Sequence, residues 1–178
     1  VLVSDPVLED CDPLSTARVL AAAAKEIPFD LIIAGQRAVD DDAYMVGSAV
    51  AEALGIPSIT MVTKEEISEN RIQCHKTIDG GVAVVDAPLP ALITTQRGLN
   101  DPRYASLPGI MKAKKKPLDS KTLADLGLDS QAFPAVKMKT VALNPPPERK
   151  GGQVIEGETP QEKARELVRI LHEEAKVI

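Results

Sequence analysis

The sequence predicts an α/β protein: a doubly wound, mostly parallel sheet with an antiparallel hairpin, plus a tethered C-terminal helix. Three observations predict it. The apolar runs "FDLIIAG" (Phe29 to Gly35) and "PALITT" (Pro90 to Thr95) suit strands buried on both faces of a parallel sheet. Stretches with helical spacing alternate with such runs, as βαβ units require. Between two alternating segments lies Asp79-Gly80-Gly81, a hairpin turn signal.

The elements follow in order. Val1 to Val3 reads as a first short strand. Asp12 is placed to cap a helix with Pro13 at its first position, and Leu14, Ala17, Leu20, Ala21 and Ala24 recur at helical spacing. With Phe29 to Gly35 this makes a βαβ unit. From Ala43 the pattern turns helical again, with Val46, Val50, Ala53 and Leu54 on one side and Gly55 and Pro57 as the stop. Ser58 to Val62 is the next strand, and the hairpin covers Asn70 to Val85. Beyond Thr95, a strand is expected over Val136 to Leu143, then a Pro/Gly-rich tether over Asn144 to Gln153. Thr159, Pro160 and Glu162 spell a capping box for a last helix, whose apolar stripe is Ala164, Leu167, Val168, Leu171 and Ala175.

Composition narrows the function classes. A chain of 178 residues, 44% hydrophobic, supports one domain with a real core. A net charge of -5 opposes general nucleic-acid binding, which needs a broad surplus of Lys and Arg. Aromatics are 2% of residues, so the core is aliphatic and stacking platforms are scarce. Cys11 and Cys74 are far apart and make no CxxC, which points to neither a zinc site nor a disulfide framework and suits a reducing compartment. No apolar run reaches the roughly 18 residues of a membrane helix, and no signal-peptide pattern opens the chain; a soluble, intracellular protein is expected. The opening "VLVSDP" carries no initiator Met and starts in a strand, so an N-terminal portion is expected to be missing.

In a doubly wound sheet ligands bind beyond the carboxyl ends of the strands, where a loop enters a helix N-terminus. Gly35 through Asp42, leading to a helix from about Ala43, occupies that place. Free backbone N–H groups and the helix dipole favour a phosphate there. Asp40, Asp41 and Asp42 can cap the helix or accept from ribose hydroxyls, and equally can be a cap cluster that only complements the dipole. No Walker loop or GxGxxG is present. His75 and His172 have no nucleophile pattern near them and read as surface histidines, so no catalytic or metal residues are assigned.

Taken together, "IIAGQRAVDDDAYMVG" and "LNDPRYASLPGIMKAKKKPL" resemble the beta subunit of electron transfer flavoprotein, and the likeness runs over nearly the whole chain. The resemblance implies an adenine nucleotide alpha hydrolase-like fold and a heterodimer whose alpha subunit holds the redox-active FAD. It implies a nucleotide, usually AMP, surrounded by Gly35, Gln36, Arg37, Asp40, Asp41, Asp42, Ala43, Tyr44, Met45 and Val46. Members of the AMP-binding kind usually carry Asn and Thr where Tyr44 and Val46 stand. Val46-Gly47 is instead similar to electron-bifurcating members, which hold a second FAD there and accept electrons from NADH; those usually have Gln in place of Met45.

The resemblance also implies that residues 1–143 form a nucleotide-binding α/β domain with a partner-recognition loop at 95–117, and that 144–178 is a linker and helix docking on the alpha subunit. In the loop, Arg103, Tyr104, Leu107, Ile110, Met111, Lys112 and Lys115 would meet acyl-CoA and related flavin dehydrogenases, with Leu107 inserted into the partner. An apolar anchor supplies short-range affinity and the lysines speed encounter with acidic partners. A helix with Ile110 and Met111 packed inward and lysines at its cation-favouring end is the plainer alternative. An electron carrier of this kind is expected in the cytoplasm of a prokaryote or the mitochondrial matrix of a eukaryote. A stand-alone nucleotide-sensing domain of the universal stress or PP-loop kind shares the architecture and is the reading from a different class.

Overall fold

In the computed structural model, residues 1–9, 11–129, 137–148 and 151–178 are described. The chain divides into two compact units, Val1–Lys139 and Thr140–Ile178.

The first unit begins with β1 (Leu2–Val3) and a 3-10 turn at Pro6–Leu8. Asp12, in extended backbone, accepts from the Ser15 N–H at 2.8 Å and opens α1 (Pro13–Lys25), as the Asp-Pro pair predicts. β2 (Leu31–Gly35) follows, then α2 (Val46–Leu54), which stops at Gly55 in the left-handed conformation, φ 69°. β3 (Ser58–Ile67), β4 (Arg71–Ile78) and β5 (Gly81–Pro88) form an antiparallel meander, with Gly80 at φ 79° turning the β4–β5 hairpin. β6 (Ala91–Thr95) then returns between β2 and β3 and runs parallel to both. The sheet order is β2-β6-β3-β4-β5: three parallel strands continued by an antiparallel hairpin. This is the α/β class expected.

Three expectations need correction. β1 does not join the main sheet; it pairs in parallel with β7 (Ser120–Lys121), the Leu2 N–H donating to the Asp119 carbonyl at 2.7 Å. So β1, α1 and β2 are no βαβ unit of one sheet. β3 runs five residues past Val62, because the antiparallel pairing with β4 carries the charged stretch Lys64–Glu66 on an exposed flank. The strand expected over Val136–Leu143 is not formed at residues 137–143; Val136, like Phe133, lies outside the described residues.

Alternation along β6 separates two cores. Leu92, fully buried, packs with Ala17, Ala21, Val50 and Ala51 of α1 and α2; its neighbours Ala91 and Ile93 join Ile59, Val62, Ile72 and Cys74 on the opposite face. Among the described residues no strand pairs with the outer side of β2, where Ile33 is 64% exposed. Beside it an apolar cleft of about 410 Å³ is lined by Leu20, Ile27, Phe29, Ile32, Val46 and Val50.

The second unit reaches α4 (Pro160–Arg169), which continues as a π turn at Ile170–Glu174. The capping box is present as read: Thr159 Oγ1 accepts from the Glu162 N–H, and the Glu162 carboxylate accepts from the Thr159 N–H, each at 3.3 Å. Arg169 pairs with Glu166, Glu173 and Glu174, and these carboxylates hold its guanidinium charged beyond the ordinary arginine range. Leu167 and Val168 remain 43% and 55% exposed. Two residues of the tether, 149 and 150, lie outside the described residues.

Candidate functional site

Gly35 and Thr95 end β2 and β6 side by side, and Val62 of β3 pairs with Thr95 where the parallel pairing stops. From there the chain runs through Gln36–Met45 into α2, the loop-to-helix junction at which ligands bind in sheets of this kind. Helix α2 begins at Val46, later than the Ala43 that periodicity indicates. Asp42 and Tyr44 take left-handed backbone, φ 54° and 56°, which no helix can include.

The loop holds itself together. Asp40 Oδ1 accepts from the Asp41 N–H at 3.0 Å, Asp41 Oδ1 from the Ala43 N–H at 3.1 Å, and the Asp42 N–H donates to the Ala38 carbonyl at 3.1 Å. Asp42 also pairs with Arg37, whose guanidinium lies 5.3 Å from the centre of the Tyr44 ring. None of the three carboxylates caps α2. Met45 occupies the cap position and makes no side-chain bond, so the cap residue supplies no acceptor to the first N–H groups of the helix.

Two features tighten the junction, and sequence patterning missed both. Gly47 lies directly against β6: a Cβ there would stand 2.6 Å from Thr94 Cγ2. Met61, at φ 59°, sits in a bulge of β3 and donates its N–H to Thr94 Oγ1 at 3.1 Å. The Thr-Thr end of an otherwise aliphatic strand is the signal that could have found Thr94. Thr95 adds a bond from its hydroxyl to the Ala34 carbonyl at 3.3 Å.

The second group of expected site residues lies in the stretch after β6. Leu99 is half-buried against the β-face core; residues 100–120 are all exposed; then the chain is fixed again by β7 and by Leu123, fully buried. Within this projecting segment Ser106 Oγ accepts from the Gly109 N–H at 3.2 Å and starts α3 (Leu107–Ala113). Tyr104 is 100% and Leu107 74% exposed, and Arg103, Lys112 and Lys115 are exposed as well. Ile110 and Met111, 43% and 55% exposed, do not pack inward as the plainer alternative holds. Among the described residues none of Lys112, Lys114, Lys115 and Lys116 has an ion pair. The residues of the Gly35–Val46 loop and the projecting residues form two separate groups along the chain, each brought together locally. Among the described residues there is no group of three or more His, Cys, Asp or Glu placed to hold a metal ion, and no helix long and apolar enough to cross a membrane.

A mixed α/β sheet with a free helix start at its carboxyl edge and a projecting cationic-apolar loop defines the class. The family model described as "Electron transfer flavoprotein domain" matches residues 1–126. The chain is 45% identical over 172 residues to "Electron transfer flavoprotein subunit beta" of Bacillus subtilis (strain 168), covering 96% of this chain and 66% of that one. It is 36% identical over 148 residues to the mouse (Mus musculus) protein of the same name, covering 83% and 56%. It is also 35% identical over 175 residues to "Caffeyl-CoA reductase-Etf complex subunit CarD" of Acetobacterium woodii, covering 97% and 67%. The chain belongs to the electron transfer flavoprotein family, beta-subunit branch. It spans 56% to 67% of the length of these three relatives.

Proposed function

We propose that the chain serves as the beta subunit of a heterodimeric electron transfer flavoprotein, an electron carrier rather than an enzyme with a substrate of its own. In this reading residues 1–143 hold AMP, 95–117 dock acyl-CoA and related flavin dehydrogenases, and 144–178 dock on an alpha subunit that holds FAD. The FAD supplies the electron-carrying chemistry. This chain contributes a nucleotide cradle and a docking surface.

The observation that carries the proposal is Leu107: 74% exposed on the first turn of α3, beside lysines with no ion pair, in a segment fastened at both ends. An exposed aliphatic anchor ringed by cations suits fast, weak contact with acidic redox partners. The loop suits a phosphate because its carboxylates are engaged within the loop, by the Asp41 and Ala43 N–H groups and by Arg37, and none caps α2. The test is reduction of the alpha–beta pair by an acyl-CoA dehydrogenase. The rate is expected to fall with ionic strength and with Leu107→Ala; indifference to both would overturn the docking role.

A second reading, a bifurcating, NADH-oxidising beta subunit with a second FAD in the nucleotide loop, draws on Val46 and Gly47 and on the likeness to the CarD subunit. A half-buried aliphatic and a glycine leave no polar side chain at the first two positions of the helix. Cofactor extraction followed by mass measurement separates the two: one FAD and one AMP per pair against two FAD.

A further inference from the structure

We propose that Asp12 is a clasp: one carboxylate oxygen caps α1 and the other fastens the backbone at Lys137, fixing where the chain leaves the first unit. Asp12 Oδ1 accepts from the Ser15 N–H at 2.8 Å and Oδ2 from the Lys137 N–H at 2.9 Å, across 125 residues of chain. Asp12 is 7% exposed; the bond from Ser15 is buried and the one from Lys137 partly so. Bonds from N–H to carboxylate are about twice as strong as neutral ones. A helix cap needs only one acceptor oxygen. The second is what a plain cap leaves over.

Helix α1 holds the same stretch of chain at its other end. Lys121 pairs with Glu26, the C-cap residue of α1, and Leu126 and Leu128 line a cleft against Ala21 and Ala22. The helix is therefore a rail, with the 120–128 stretch fixed to its C-terminal half and Lys137 to its start. The second unit, with α4, begins three residues later, at Thr140. Opening the clasp frees at least residues 137–139 and so lengthens the tether ahead of α4. Effective concentration falls as a tether grows, so Asp12 sets how tightly α4 is supplied to whatever it docks on. The clasp itself is independent of the electron-transfer reading; its consequence for α4 rests on that reading.

The experiment uses the full chain and two variants. Asp12→Ser keeps the cap and is too short to reach Lys137; Asp12→Asn has one acceptor oxygen for two donors. Hydrogen exchange by mass spectrometry and tryptic cleavage after Lys137 and Lys139 report the clasp, and peptides from α1 and β6 report the body. The clasp predicts exchange and cleavage at 137–139 at least about tenfold faster in both variants, because a charge-assisted bond is worth roughly 1.5–3 kcal/mol. The α1 and β6 peptides should change by less than about twofold. Unchanged exchange at 137–139, or a rise shared equally by α1 and β6, would overturn it.

Discussion

Gly47 and Thr94 touch where α2 crosses β6, with room for no atom between them: a Cβ on Gly47 would lie 2.6 Å from Thr94 Cγ2, 3.5 Å from Leu92 Cδ2 and 3.6 Å from Ala34 Cβ. Two effects oppose each other in Gly47→Ala. Helix propensity favours alanine by about 1 kcal/mol, whereas overpacking against a buried strand costs about 1–3 kcal/mol. The clash is with β6 side chains in the core, so sterics win and the melting temperature falls by a few degrees. Thr94→Ser removes the methyl and keeps the hydroxyl that accepts from Met61. In that background Gly47→Ala should be neutral or stabilising, and a thermal melt of the four proteins checks the cycle.

Asp12 gives the chain a defined acid response. Hydrogen bonds from the Lys137 and Ser15 N–H groups hold its carboxyl at about 2, against 3.8 when free. A carboxyl depressed by folding stabilises the folded state above its free value, and that contribution is lost as pH falls from about 4 to about 2. Wild type should therefore show a steeper acid limb than Asp12→Ser, read by circular dichroism from pH 5 to pH 2. Equal limbs would remove Asp12 from the acid response.

Leu107→Ala separates docking from stability. At 74% exposure the side chain holds little of the fold, so the melting point should move by less than the equivalent of about 0.5 kcal/mol. As an interface anchor its loss should cost about 1–2 kcal/mol of partner binding, close to tenfold in kcat/KM for dehydrogenase-driven reduction. Lys112→Glu should act differently, lowering the low-salt rate most and little at high salt.

Cys74 is a reporter of the hairpin. It is fully buried on β4, and burial, then the charge of Glu65, pushes its thiol up. An alkylating reagent near pH 8 should modify the half-buried Cys11 first, with Cys74 labelled only on the timescale of opening. Mass spectra with equal early labelling of both would show that the meander opens freely.

Much of the fold is legible in the sequence because local chemistry decides it. Asp12-Pro13, Thr159-Pro160 with Glu162, Gly55 and Asp79-Gly80 each act within a turn of the chain, and each element stands where these residues point. The insertion of β6 between β2 and β3 is a long-range pairing that no local pattern encodes. The start of α2 differs from the periodicity for a physical reason: three aspartates resemble a cap, but left-handed backbone at Asp42 and Tyr44 delays the helix, and Met45 takes the cap position instead. The strand bounded by sequence at Val62 continues through Lys64–Glu66, because charged residues can lie on a solvated antiparallel flank. The outward placing of Leu107 and the lysines is implied by the family resemblance alone, because the residues by themselves leave a helix with Ile110 and Met111 packed inward equally open.

The outer flank of β2 has a consequence for handling the chain. Along Leu31–Gly35 one edge of the backbone bonds β6 and the other meets no strand among the described residues, beside an apolar cleft, an arrangement that recruits foreign strands. Concentrating the purified polypeptide should produce higher-order species by light scattering, and Ile33→Lys should suppress them by setting a charge on the growing seam.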